Sequence, residues 1–241
     1  MKNALLRVLA AALLAPAGVY AAGCGDAKPR GVTSFELKSF TVLIDNDTIR
    51  VSDVHLSVGG SWQENSPIWP ALVIEDTQRP GEIAAVRNFK SRWEPAMVPW
   101  KIEAGKEPYH ALRIELKKGD CEPVANPPLP PTDGVVIHDP KIRVPFENAY
   151  VRVLEIEVQP GEAEPPHTHT WPSVVYYYRL PTSRRGTADG KPPVDRPELT
   201  AQQVTFENFA QPTHTLLNTG TYLYQAHRIE IKPVTDQPAK K

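Results

Sequence analysis

Three histidines in the second half of the chain have the types and spacing to do chemistry. His167 and His169 are one residue apart, and in an extended strand such residues project from the same face. Both imidazoles can then be offered to one ion. His214 follows 45 residues later, just ahead of the turn signal Asn218-Thr219-Gly220. Two same-face histidines and a distant third form the donor set of a divalent transition-metal centre with positions left open for water or substrate. Ser173 and Tyr177 share strand parity with the pair, which makes the Tyr177 phenol a candidate lining group. His227 alternates in phase with Ile229 and Ile231 and is expected to point inward, as a hydrogen-bonding neighbour of the site or as a fourth ligand. His55, His110 and His138 lack this context and read as surface or loop histidines. Glu162 and Glu164, on the stretch ahead of His167, read as solvated.

The elements that must position these residues come from an internal repeat. Displaced by 102 residues, Ile49-Arg50-Val51 falls on Val151-Arg152-Val153, Gly59 on Gly161, and Trp69-Pro70 on Trp171-Pro172. Displaced by 115, Ala111-Leu112-Arg113-Ile114-Glu115-Leu116-Lys117 falls on Ala226-His227-Arg228-Ile229-Glu230-Ile231-Lys232. The 13-residue difference between the two displacements is an insertion in the second copy, placed in the polar stretch Pro181 to Thr200. Each copy alternates apolar and polar residues with period two between turn signals, the pattern of short strands in a sandwich or barrel. The copies span residues 32–120 and 134–232. Residues 121–133, with Pro-Pro-Leu-Pro-Pro, read as a stiff linker, and 233–241 as a loose polar tail. The 26 prolines argue against long helices.

Gly161-(five residues)-His167-x-His169 resembles the first motif of the cupin family, and His214-(three residues)-Asn218 resembles the second. The segment Phe146 to Glu155 resembles the opening strand of small single-domain bacterial cupins. The resemblance covers 144–232 and, through the repeat, 42–117. It implies an all-β protein of two tandem jelly-roll barrels, a bicupin, with a metal inside the second barrel. The family normally carries Glu with three or four residues between it and the second histidine, where this chain has Ser173 and Val174. The implied site is therefore three-histidine, as in the cupin thiol and diketone dioxygenases. Fe(II) is the ion implied for an oxygenase, while zinc, manganese and nickel also accept three imidazoles. In the first copy, Asn65, Pro67 and Pro99 occupy the ligand positions, so that barrel is expected to serve as a packing partner.

Residues 1–23 have the order of a secretory signal: Lys2 and Arg7, an apolar run from Leu5 to Leu14, then small residues. Ala21-Ala22-Gly23-Cys24 resembles a bacterial lipobox, in which Cys24 is acylated. Alternatively, cleavage after Ala21 leaves Cys24 free to pair with Cys121, the other cysteine. The two fates exclude each other, and the lipobox weighs slightly more. The formal charge of -1 gives no electrostatic drive toward nucleic acid or an anionic membrane. The expectation is an exported periplasmic protein or envelope lipoprotein, whose partners are a small molecule, a second copy of the chain and, through lipidated Cys24, the membrane. Two functions compete: an oxygen-dependent dioxygenase of a small organic substrate, and a non-catalytic cupin that binds a small molecule or metal.

Overall fold

The computed structural model describes Cys24 and residues 39–65, 67–76, 89–199 and 202–238; the expected signal segment, 1–23, lies outside them. Strands dominate. The first copy contributes β1 (Phe40–Asp45), β2 (Ile49–Leu56), β3 (Ser61–Glu64), β4 (Ala71–Asp76), β5 (Phe89–Glu94), β6 (Trp100–Glu103) and β7 (Tyr109–Leu116), followed by β8 (Cys121–Pro123). The second contributes β9 (Ile142–Glu147), β10 (Val151–Val158), β11 (His167–His169), β12 (Ser173–Arg179), β13 (Ser183–Thr187), β14 (Val194–Arg196), β15 (Gln203–Glu207), β16 (Gln211–Asn218) and β17 (Tyr224–Ile231), and β18 (Val234–Pro238) follows. No helix among the described residues is long and apolar enough to cross a membrane.

The repeat in sequence is a repeat in topology. One five-stranded sheet has the order β1-β2-β7-β4-β5 and the other β9-β10-β17-β12-β15, each strand in its equivalent place. The second copy closes its barrel with a sheet of order β11-β16-β13-β14, whereas the first has the pair β3-β6. β13 and β14 lie within the stretch read as an insertion. Details recur as well. The Asn46 and Asn148 side chains accept from the backbone at the start of β2 and β10. Gly59 and Gly161 turn with φ of +72° and +78°, a conformation that penalises a Cβ, although neither has an atom near enough to obstruct one. Trp69 lies under Arg50 and Lys117, and Trp171 under Arg152 and Lys232, at the same two displacements. The tryptophans are thus part of the shared scaffold.

Strand alternation sets the main core. Ile49, Val51, Leu72, Ile74, Leu112 and Ile114 of one sheet meet Val151, Val153, Val174, Tyr176, Tyr178 and Ile229 of the other in a single buried cluster. The two large sheets therefore stack face to face. Burial of each such aliphatic side chain stabilises the fold by roughly 1.5–3 kcal/mol. Aromatic contacts finish the layer: Phe89 stacks on Tyr178 at 4.0 Å and Trp93 runs parallel to Tyr150 at 5.7 Å. The opposite face of the second sheet, with Leu154, Ile156, Val158 and Val175, lines that copy's barrel.

The ends depart from expectation. Val234–Pro238, within the stretch read as a loose tail, form β18, which pairs with β8 at the start of the segment read as a linker. Pairing satisfies backbone groups that both segments would otherwise leave to water. Cys24 is disulfide-bonded to Cys121, with Cα atoms 5.0 Å apart. This is the pairing alternative, and a sulfur so bonded has no thiol left to acylate.

Candidate metal centre

Strand pairing assembles the three histidines. β11 runs antiparallel to β16, and His167 sits directly opposite His214. The ring centroids of His167 lie 4.9 Å from those of His169 and 4.6 Å from those of His214. One nitrogen from each residue falls within 4.8 Å of the other two. His167 and His169 are 1% and 2% exposed, and His214 is buried with them.

The proton on each ring is held at the back. His167 Nδ1 donates to Pro165 O at 2.9 Å and His214 Nδ1 to Pro212 O at 2.8 Å. A carbonyl only accepts, so both Nδ1 atoms carry the proton and both Nε2 atoms present a lone pair. His169 Nδ1 faces Glu230 Oε1 at 3.2 Å, which orients the third ring in the same sense. The Nε2 atoms of His167 and His169 then face each other at 3.2 Å. With His169 Nδ1 protonated toward ionised Glu230, both Nε2 atoms are free to ligate, and two ligands about 2.0–2.1 Å from one ion stand roughly 3 Å apart. The donor set fits a divalent metal.

Electrostatics keep the imidazoles neutral, the form that binds metal. Burial is the main cause in each case. The Arg228 charge also depresses His169, and the Arg185 charge helps hold His214 down at about 3. Behind His169, Arg152 Nε donates to Glu230 Oε2 at 2.6 Å and Arg152 Nη2 to Asp133 Oδ1 at 3.2 Å. Burial pushes Glu230 up to about 7 against the pull of Arg152. Gly134 completes the cradle by close approach, since a Cβ there would stand 3.2 Å from the His167 ring and 2.8 Å from Ile142.

Tyr177 lines the recess beside His169 and His214, as its parity suggests. Ser173 is fully buried but does not line it; its Oγ accepts from Arg228 Nη1. His227 is not in the site. It packs between the copies, 4.9 Å from Phe89 and 5.0 Å from Tyr178, and bonds the Tyr178 hydroxyl through Nδ1. It shares its face with Ile229, as the alternation indicates, but that face of β17 meets the other sheet, and burial holds its pKa at about 3. Glu164 also departs from expectation. It is 5% exposed, its Oε1 has no hydrogen-bond partner, and burial raises it to about 8. It groups with Asp139 and His167 at the edge of the centre. Arg185, Arg196, Glu207 and Arg228, which also line the recess, were not singled out from sequence. The signal available was β17 itself, where Arg228 and Glu230 alternate against Ile229. Of the remaining histidines, His138 is exposed, and His55 and His110 stack at 4.2 Å around the Asp53 carboxylate.

No family model matches the sequence, and no curated protein matches it. Solved structures do. AerE from Microcystis aeruginosa is 8% identical, with 81% of this chain and 98% of that one covered at a TM-score of 0.50. A variant of oxalate decarboxylase from Bacillus subtilis is 13% identical, covering 80% of this chain and 70% of its own at 0.48. A cupin domain from Bordetella pertussis is 24% identical over 38% of this chain and 92% of its own, at 0.34. At these identities the likeness concerns the fold.

Proposed function

Starting from a cupin fold of two tandem barrels, we propose that this protein holds one divalent metal through His167, His169 and His214 and is an exported dioxygenase of a small organic substrate. The observation that carries the metal reading is the convergence of Nε2 lone pairs, each ring fixed from behind through Nδ1. When bound, the metal supplies Lewis acidity and, if it is iron, redox capacity at positions the three histidines leave open. Ser173, where the family carries its carboxylate, is turned to Arg228, which supports a three-histidine rather than a carboxylate-bearing set. Tyr177 offers a phenol to whatever enters beside His169 and His214. Ile156, Val175 and Leu216 exclude bulk water from one wall. Export is supported by the disulfide, a bond that persists in oxidising compartments.

Elemental analysis of the purified protein against His169→Ala tests the centre: wild type holds one metal per chain and the variant loses it. Equal stoichiometry in both sinks the assignment. Oxygen uptake by Fe(II)-loaded protein with thiols, diketones and dihydroxyaromatics tests the reaction. The second reading, a non-catalytic binding protein, is favoured by the small size of the inner recess, about 30 Å³. Redox-inert zinc in protein from its native compartment, without oxygen uptake on any panel member, selects it.

A further inference from the structure

The insertion that distinguishes the second copy brings charge to the histidines. Arg185 stands on β13 and Arg196 on β14, both on the wall of the recess that holds His169 and His214. The first copy has no counterpart of this hairpin among its described residues.

The third arginine of the recess is already neutralised. Arg228 Nη2 donates to Glu207 Oε2 at 2.6 Å. The equivalent pair in the first copy is Arg113 with Glu94, in the same places on the equivalent strands. That pair is therefore scaffold. Arg185 donates to the neutral Gln211 amide at 2.7 Å, and among the described residues neither Arg185 nor Arg196 has a carboxylate within ion-pair distance. Two half-buried cations thus face the recess without a direct ion-pair partner, Glu207 acting on Arg185 only at longer range, and a divalent metal would add to the positive charge there. A carboxylate entering the recess would offset that charge and gain charge-assisted hydrogen bonds.

Other groups are also left without partners. Arg228 Nε and Glu164 Oε1, both on the recess wall, are buried and unbonded. The inner space, about 30 Å³, has room for about two water-sized groups, the size of a small polar head. Beside it lies a wider vestibule of about 340 Å³ that shares Tyr177, Arg196 and Glu207 with it and adds Leu180, Pro197 and Leu199. Thr205 Oγ1, also on the vestibule wall, is buried without a partner.

We propose that Arg185 and Arg196 form a carboxylate subsite, so that the ligand of this centre is a small organic monoacid with its head beside the histidines and an apolar body on Leu180, Pro197 and Leu199. This rests on the three-histidine recess being the working site. Arg196, which lines both spaces, sets the preference for an anion over a neutral analogue of the same shape. A guanidinium matches a carboxylate with two parallel N–H donors, which an amide cannot accept equally.

The test is calorimetric titration of the mature protein, metal-free and zinc-loaded, with hexanoate and hexanamide. Hexanoate is expected to bind at least about 10-fold more tightly than hexanamide, the worth of one charge-assisted hydrogen bond. Arg196→Gln should lose about 10-fold for hexanoate and nothing for hexanamide, while Arg196→Lys keeps part of the preference. Zinc content is measured on the same samples. Equal binding of acid and amide by wild type, unchanged hexanoate affinity in Arg196→Gln, or no hexanoate binding by either form overturns the proposal. If wild type holds no zinc but still prefers the acid, the metal reading fails and the subsite stands. If zinc binds and is lost in His169→Ala without any acid preference, the reverse is true.

Discussion

His169 Nδ1 meets Glu230 Oε1 at 3.2 Å, with both side chains fully buried. Glu230 comes from β17, on the large sheet, and His169 from β11, on the small one. The contact therefore ties the two sheets of the second barrel together behind the metal centre. It also fixes which nitrogen of His169 faces inward.

Glu230→Gln tests this tie. The amide keeps the shape but removes the carboxyl group that meets Arg152 Nε and His169 Nδ1. Metal affinity is expected to fall by about 10–100-fold, the usual cost of losing a partner behind a ligand. Competition against a chelator measures it, with circular dichroism to verify folding. An unchanged affinity would show that Glu230 serves only the fold.

His227 and His169 should separate cleanly. His227→Ala removes a side chain packed between Phe89 and Tyr178 and leaves the Tyr178 hydroxyl without its partner. A loss of about 2–4 kcal/mol in unfolding free energy follows from the cavity and the broken hydrogen bond. Metal stoichiometry should stay at the wild-type value, whereas His169→Ala abolishes it. Metal loss on His227→Ala would instead restore it as a ligand.

Glu164 gives the metal-free protein a pH signature. Its folded pKa, about 8, lies above the ordinary value of 4.5 because burial disfavours the anion. The folded state then binds a proton that the unfolded chain has released. The associated stability is fully present below pH 4.5 and is lost as pH rises to 8. Glu164→Gln removes this dependence and should be more stable than wild type above pH 8 by on the order of 3–5 kcal/mol. Urea melts of chelator-treated protein across that range provide the measurement. Parallel pH profiles for wild type and variant would argue that Glu164 is ionised throughout.

The Cys24–Cys121 bond closes a loop of 97 residues in sequence separation. Constraining the unfolded chain over such a loop is worth about 2–5 kcal/mol. Protein isolated without reductant should show the oxidised mass with no diacylglycerol increment, and reduction should lower its unfolding temperature. A lipid-bearing mass would exclude the disulfide and restore acylation of Cys24.

Much of this molecule follows from sequence alone. The repeat displacements forecast two copies of one fold, and the change of displacement placed an insertion in the stretch where β13 and β14 lie. The spacing of His167 and His169 forecast a shared face, because strand geometry is local and has a period of two. Period two does not say which face is the inside. Both faces of β17 are buried, one against the other copy and one in the barrel, so His227 and Arg228 exchanged the places their chemistry suggests. Tertiary packing also decided the fate of Glu164, which chain position makes a loop residue and the neighbouring strands make a buried acid. The same packing set the charge balance around Arg185 and Arg196. Burial and pairing across strands far apart in the chain are sums over neighbours that no local pattern encodes.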